Sequence, residues 1–185
     1  MKRTLRRQMR AVLRTMDPDL RHDRSLAACR RMIGAPEWRR AGTVFVYLWT
    51  GFGPDSTALV DAAWRDGKVV CVPRHGAEPG QIAPVPIRSW ADCAPVERGS
   101  LEPIADLPVG AEQVDLVVVP GLAFDRRGGR LGSGSGQFRR FLSRAGPRAF
   151  RCGLAFAEQL VDGLPAMPRG EGVDALVTDR ARLRF

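Results

Sequence analysis

Hydrophobic residues near the N-terminus recur at helical spacing. From Lys2 to Met16 they line one side of the pattern and arginines line the other, which predicts an amphipathic helix. Asp17 followed by Pro18 is typical of a helix start, because aspartate caps free N–H groups and proline fits the first helical position. We predict that this second helix runs to about Met32 and is stopped by Gly34.

Further along the chain, short apolar segments alternate with helical patterns. Segments such as Val44–Trp49 show no polar alternation, which indicates strands buried on both faces. Pro84 and Pro86 cannot donate ladder hydrogen bonds, so Gln81–Ile87 is predicted to be an edge strand. The other predicted strands are Val69–Val72, Asp115–Pro120, Phe150–Leu154 and Ala175–Val177, and the predicted helices between strands are Ser56–Arg65 and Gly136–Arg144.

This alternation predicts the fold class. Strands that alternate with helices favour a mostly parallel sheet covered on both faces. The chain of 185 residues has the size of one ordinary domain, and we see no linker long enough to divide it. We therefore predict a single α/β domain over residues 1–185.

The net charge is +9 and comes almost wholly from arginine, since Lys2 and Lys68 are the only lysines. This balance favours anionic partners. The arginines are spread along the whole chain and aromatic residues are few, so we expect no nucleic-acid partner. No apolar segment approaches the roughly 20 residues that span a bilayer, and no apolar stretch follows the basic N-terminus. We expect a cytoplasmic protein without a membrane partner.

The four cysteines (29, 71, 93 and 152) are widely separated, and none forms a Cys-x-x-Cys pair. Only two histidines are available to complete a metal site, so structural zinc is not expected. No neighbouring histidine activates any of these thiols. We interpret them as reduced core or near-core thiols rather than catalytic nucleophiles.

A glycine-rich segment follows the predicted strand that ends at Pro120. Glycines at 128, 129, 132, 134 and 136 would let backbone N–H groups converge on an anion, and a helix is predicted directly afterwards. Arg126, Arg127 and Arg130 add planar donors that suit phosphate. Ligands of open α/β sheets bind beyond the carboxyl ends of strands, which favours a phosphate site here. A flexible surface loop is the alternative explanation.

Residues 115–132, which read Asp-Leu-Val-Val-Val-Pro-Gly-Leu-Ala-Phe-Asp-Arg-Arg-Gly-Gly-Arg-Leu-Gly, resemble the signature of the 5-formyltetrahydrofolate cyclo-ligase family. Four further motifs occur in the family's order: Lys2-x-x-Leu5-Arg6, Leu101-Glu102-Pro103, Gly153–Gln159 and Val173–Thr178. The resemblance implies a three-layer α/β/α sandwich related to sugar-phosphate isomerase and CoA-transferase domains. It also implies a reaction with MgATP, in which a formamide oxygen is phosphorylated and then expelled as phosphate while a nucleophile closes a ring.

The resemblance also implies roles for particular residues. Lys2 and Arg6 would hold the phosphates of ATP and Asp174 would help to hold Mg²⁺, although solvated helix charges and a turn cap are the alternative explanations. The expected phosphate cradle is Gly132, Ser133, Gly134, Ser135 and Gly136. The expected catalytic residues are Arg130, Gln137 and Arg139, and the expected substrate-facing residues are Trp49, Gly53, Glu102 and Phe138.

Departures from the family pattern are concentrated after Gly132. Where the family reads basic-Gly-x-Gly-Tyr-Tyr-Asp-Arg, this chain has Ser133, Gln137, Phe138 and Arg139 at the changed positions, and Gly53 replaces an acidic residue. The resemblance implies that such positions face the folate or the metal. We therefore predict a divergent cyclodehydratase that closes an N-formylglycyl unit on a carrier protein to an oxazole. An acidic carrier protein would suit the +9 charge. A genuine 5-formyltetrahydrofolate cyclo-ligase and a non-catalytic nucleotide-binding module are the alternatives.

Overall fold

The computed structural model describes residues 1–48, 51–76, 78, 80–96, 100–144, 149–165 and 172–185. The helices are α1 (Lys2–Arg14), α2 (Pro18–Ile33), α3 (Pro36–Arg40), α4 (Thr57–Arg65) and α5 (Gln137–Arg144). The strands are β1 (Thr43–Phe45), β2 (Val69–His75), β3 (Ile82–Ile87), β4 (Cys93–Pro95), β5 (Leu101–Pro103), β6 (Leu116–Val119), β7 (Ala123–Asp125), β8 (Arg130–Leu131), β9 (Phe150–Ala155), β10 (Leu160–Val161), β11 (Ala175–Thr178) and β12 (Arg182–Arg184).

The main sheet has the strand order β12-β11-β9-β6-β1-β2-β3. Its five inner strands are parallel, and an antiparallel strand closes each edge. From β1 the chain builds outward through β2 to β3, whereas β6, β9 and β11 extend the sheet the other way. This reversal makes the β1–β6 pair the switch point of the sheet, where the connections diverge to opposite faces and leave a crevice at the carboxyl ends.

Helices cover both faces of this sheet. On one face, α2, α3 and α4 pack against Val44 and Val118, and on the other α5 packs against Phe45 and Val117. Adjacent residues of each inner strand therefore point into different cores, which is why these strands read as uninterrupted apolar runs. The predicted mostly parallel, three-layer α/β fold is confirmed.

Helix α1 does not lie on the main sheet. Its buried residues, Met9 and Leu13, pack with Leu122, Leu131 and Phe156 in a separate apolar cluster. That cluster covers the small sheet β10-β7-β8. The amphipathic pattern of residues 2–16 thus serves to dock the helix beside the chain segment that follows the switch point.

Most of the predicted elements are present, with local differences. Asp17 caps α2 by accepting from the N–H groups of Asp19 and Leu20, and the segment with two prolines is the edge strand β3. The predicted strand Val44–Trp49 was too long, because β1 ends at Phe45. Beyond the end of β1, the chain makes one more backbone hydrogen bond to β2, from Val46 N to Cys71 O at 2.9 Å.

Several elements were not predicted. They are α3, the β4–β5 hairpin, the small sheet and β12, all five residues or fewer in length. No described helix is long and apolar enough to cross a membrane.

Candidate active site

One cavity of about 490 Å³ lies beyond the carboxyl ends of β1 and β6, at the switch point of the sheet. Its walls come from the N-terminal part of α1, the segment after β6, the segment after β8 and the first turn of α5. Chain segments more than a hundred residues apart therefore meet here. The lining residues are Lys2, Arg6, Phe52, Pro120, Gly121, Leu122, Arg130, Leu131, Gly132, Ser133, Gly134, Ser135, Gly136, Gln137, Phe138, Arg139 and Arg140.

The glycine-rich segment divides into two structures. Its first half is the turn of the β7–β8 hairpin, where Gly128 has a φ of +77° and a Cβ there would lie 2.6 Å from the carbonyl oxygen of Val173. Arg126 and Arg127 belong to this turn and do not line the cavity. The expectation that both arginines donate to phosphate is therefore not supported by their placement.

Asp125 holds that turn together. The carboxylate is 3% exposed and accepts hydrogen bonds from the backbone N–H groups of Arg127, Gly129 and Leu164, at 3.0, 2.8 and 3.0 Å. Burial alone would raise the pKa of Asp125, but these three donors and the charge of Arg127 together lower it below its usual value. The residue is a structural anion that orients β8 and hence Arg130.

Replacing Asp125 by asparagine is expected to lower the free energy of unfolding at pH 7 by about 2 kcal/mol, because a neutral amide accepts these N–H groups less strongly. The folded-state pKa is depressed, so the carboxylate's contribution is complete above its usual pKa of about 3.9 and is lost as pH falls through the lower folded value. Urea unfolding from pH 7 to pH 3 measures the gap between wild type and variant. A gap that did not narrow in acid would contradict this account.

The second half of the glycine-rich segment, residues 132–136, is the cavity wall itself. Gly134 and Gly136 have φ values of +122° and +75°, a backbone region that other residues rarely adopt. Helix α1 fixes the start of this loop, because Arg6 Nε donates to Gly132 O at 3.0 Å and Arg10 Nη2 donates to Ser133 O at 2.6 Å. Side chains of the N-terminal helix thus anchor a loop that lies more than a hundred residues later in the chain.

Arg130 lies between two walls of the cavity. It is 4% exposed, and its Nη1 donates to the carbonyl oxygen of Pro120 at 2.8 Å. Gly121 and Gly132 leave room for it: a Cβ on Gly121 would lie 3.3 Å from Arg130 Cγ, and one on Gly132 would lie 3.2 Å from Nη1. A guanidinium held this firmly is preorganised to receive negative charge.

Gln159 was not predicted as a site residue, yet it supports the cavity wall by bonding to the backbone of the lining residue Gly121. It is fully buried, its Nε2 donates to Gly121 O at 2.7 Å, and its Oε1 accepts from Phe156 N at 2.8 Å. Gly53 lies beside it, since a Cβ there would be 3.6 Å from Gln159 Oε1. The only sequence signal was its place in the Gly153–Gln159 motif.

Phe52 was also missed by the sequence analysis. It lines the cavity, and the guanidinium carbons of Arg10 and Arg14 lie 5.6 and 5.8 Å from its ring centroid. An isolated aromatic residue beside glycines carries no local pattern that distinguishes it from a loop residue. Its position depends on α1 docking over the switch point.

Eleven of the predicted site residues meet in this cavity, whereas Gly53, Glu102 and Asp174 do not line it. The eleven are Lys2, Arg6, Arg130, Gly132, Ser133, Gly134, Ser135, Gly136, Gln137, Phe138 and Arg139. Phe138 also stacks on Phe45, with centroids 5.9 Å apart, so it serves the core as well. Gly53 lies beside Gln159, which in turn donates to the lining residue Gly121. Trp49 lies outside the described residues.

The structure places the remaining two elsewhere. Asp174 directly precedes β11, at the amino-terminal end of the parallel strands, and its Oδ2 accepts a hydrogen bond from Arg151 N at 2.7 Å. It therefore caps a strand end and does not line the cavity, and the metal role expected for it stays a prediction. Glu102 sits on β5, where its Oε1 lies 2.5 Å from Nδ1 of His75.

The cavity offers phosphate donors but no carboxylate for a metal. Among its described lining residues there are five cations and no aspartate or glutamate. Within the same described part of the chain, no cluster of three His, Cys, Asp or Glu side chains could hold a metal ion. The residues present fit the phosphates of a nucleotide and do not fit a protein-held Mg²⁺.

The four cysteines are free thiols away from this lining. Burial raises the pKa of Cys29, Cys71 and Cys152 to about 12, so each is protonated at neutral pH. Their chemistry is that of small apolar core residues, in agreement with the interpretation from sequence.

The fold and the cavity define a doubly wound α/β enzyme with an anion site at its switch point. The family model described as the 5-formyltetrahydrofolate cyclo-ligase family matches residues 1–179, and the chain belongs to this family. It is therefore an ATP-dependent, ring-forming cyclo-ligase, as the resemblance implied.

Individual relatives agree with the family match. The chain is 27% identical to the probable 5-formyltetrahydrofolate cyclo-ligase of Schizosaccharomyces pombe, over 96% of both chains. It is 32% identical to the 5-formyltetrahydrofolate cyclo-ligase of Mycolicibacterium smegmatis, over 75% of this chain and 74% of that one. The solved structure of Aquifex aeolicus 5,10-methenyltetrahydrofolate synthetase superposes with a TM-score of 0.86 at 28% identity, covering 99% of this chain and 92% of the other.

Proposed function

We propose that this chain is a 5-formyltetrahydrofolate cyclo-ligase that makes 5,10-methenyltetrahydrofolate. The observation that carries the proposal is the position of the cationic, glycine-lined cavity at the switch point of a chain that matches this family along almost its whole length. The relatives reported above are named for the folate reaction. None of them supports the expected N-formylglycyl substrate or a carrier-protein partner.

The reaction needs an activated formamide oxygen, because that oxygen is a poor leaving group. ATP, when bound, would supply a phosphoryl group to this oxygen, with release of ADP. The substrate's second amine nitrogen, which lies outside the existing ring system, then attacks the formyl carbon and loses its proton, and the oxygen leaves as inorganic phosphate. The protein has mainly to align the reactants and to stabilise the charge that moves between oxygens.

The described residues suit that task. Arg130 is preorganised by its bond to Pro120 O, and Lys2 and Arg6 bring two further cations from α1 to the same wall. The loop of residues 132–136 would hold the phosphates beside the first turn of α5. We propose that Gln137 and Phe138, on that turn, border the formylated substrate.

A second candidate substrate is an N-formyl aminoacyl group on a carrier protein. The observation that favours it is the presence of Gln137, Phe138 and Arg139 in the cavity, where the family pattern has two tyrosines and an aspartate. The folate substrate agrees better with the relatives.

The test of the proposed function is a direct assay. Purified chain is mixed with MgATP and 5-formyltetrahydrofolate, and the absorbance of the methenyl product is followed together with phosphate release. We expect product only when ATP is present, with one phosphate released for each product. Absence of methenyl product, combined with phosphate release on addition of an N-formylglycyl carrier domain, would replace the folate proposal by the second candidate.

A further inference from the structure

The charges around the cavity are of one sign. Lys2, Arg6, Arg130, Arg139 and Arg140 contribute cations, and no described lining residue contributes an anion. Enzymes that hold Mg²⁺ beside a nucleotide usually do so with one or two carboxylates. In their absence, the protein itself must offset the charge of a polyphosphate.

Four carboxylates of the described chain that could be considered as metal ligands are engaged elsewhere. Asp125 accepts three backbone N–H groups inside the hairpin turn, and Asp55 accepts from the N–H and hydroxyl of Thr57. Glu158 is bound to Arg24, and Glu102 to His75. Recruiting any of them to a metal would break a charged or backbone interaction already in place.

Arg139 is placed to take over the neutralising role. It is the third residue of α5, and its Nε and Nη2 lie 3.8 Å from the position that a Cβ of Gly136 would occupy. Its guanidinium therefore lies close to the end of the loop that would hold the phosphates. A guanidinium is always charged and donates to phosphate oxygens in a planar fork, so it can substitute for part of a metal's charge.

We infer that this cavity binds its nucleotide polyphosphate without a protein-held Mg²⁺, with Arg139 supplying charge at the place where a metal-binding carboxylate would otherwise act. The inference rests on the proposed use of ATP at this cavity. Uncomplexed ATP carries about two more negative charges than MgATP, and a cavity lined only by cations attracts the more anionic form at least as strongly.

Isothermal titration calorimetry of the full chain with ATP tests this, once in EDTA and once in excess MgCl₂ at equal ionic strength. We expect the Kd in EDTA to equal or fall below the Kd with Mg²⁺. Arg139→Asp is expected to weaken binding in EDTA by about tenfold or more and to reverse the preference, because a carboxylate repels free ATP and can bind the metal.

Two variants serve as controls. Arg139→Gln removes the cation without adding a carboxylate, so it is expected to weaken binding in EDTA without creating a preference for Mg²⁺. Arg65→Asp makes the same charge change at the exposed end of α4 and is expected to bind like wild type in both conditions. Thermal unfolding followed by circular dichroism shows that each variant is folded.

The outcomes separate this inference from the proposed function. ATP binding by wild type only in the presence of Mg²⁺ would overturn the inference and leave the proposed use of ATP intact. Binding of ATP in neither condition would overturn both. Equal losses for Arg139→Asp and Arg65→Asp would also overturn it, since the effect would then be one of net charge.

Discussion

Replacing Arg130 by methionine is expected to lower kcat/KM for methenyl product formation by about a hundredfold, the usual cost of losing one preorganised donor to a developing charge. Methionine keeps an unbranched apolar stem beside Gly121 but removes the guanidinium that bonds to Pro120 O. The reacting phosphoryl group would then lose a cation that is buried and held in place before substrate binds. Steady-state kinetics with varied ATP at saturating 5-formyltetrahydrofolate measures the loss.

Arg130→Lys is the matched control for charge. Lysine retains the cation but lacks the planar fork, so it is expected to recover only part of the activity. Thermal unfolding of both variants shows whether the loss is structural. If Arg130→Met lowered the melting temperature but left kcat/KM unchanged for the folded fraction, Arg130 would be a structural residue only.

Replacing Gly153 by valine is expected to reduce the free energy of unfolding by about 3 kcal/mol, since overpacking of a filled core forces neighbouring side chains off their preferred rotamers. Gly153 is in β9, between β6 and β11, and a Cβ there would lie 2.8 Å from Phe124 Cε1 and 2.9 Å from Leu176 Cδ1. Phe124 is fully buried, and other core side chains surround its ring. Urea denaturation monitored by circular dichroism measures the change.

A second substitution identifies the cause of that loss. Phe124→Leu makes room over Gly153. The double variant Gly153→Val/Phe124→Leu is therefore expected to lose less free energy of unfolding than the two single variants lose when added together, by about 1 kcal/mol or more. Phe124 precedes Asp125 and so links this core contact to the hairpin that carries Arg130. Strict additivity of the two changes would show that Phe124 is not the obstacle.

Much of the fold followed from local patterns. The apolar runs at Leu116–Val119 and Ala175–Val177 are buried on both faces, and the prolines at 84 and 86 do confine β3 to an edge. Such patterns are informative because a strand's burial and a helix's cap depend on neighbouring residues in the chain. The short elements escaped prediction because segments of two to five residues carry too little pattern to stand out.

The site was only partly predictable. The glycines and arginines indicated an anion site, and the resemblance assigned residues to it, yet the glycine-rich segment proved to be a hairpin turn followed by a cavity wall. Asp174 illustrates the limit. Its motif suggested a metal ligand. However, β11 starts immediately after it, so Asp174 lies at the amino-terminal end of this parallel strand, whereas the cavity lies beyond the carboxyl ends.

The sequence by itself determined the α/β class, the buried strands, the helix starts and the family, since each depends on residue order over short spans or on a motif. Only the tertiary structure decided which residues share the cavity. Arg6 and Gly132 are 126 positions apart and Gln159 and Gly121 are 38 apart, and no local pattern specifies such meetings. They arise because the sheet reverses its order at β1 and β6, which brings α1, the glycine loop and the buried Gln159 to one crevice.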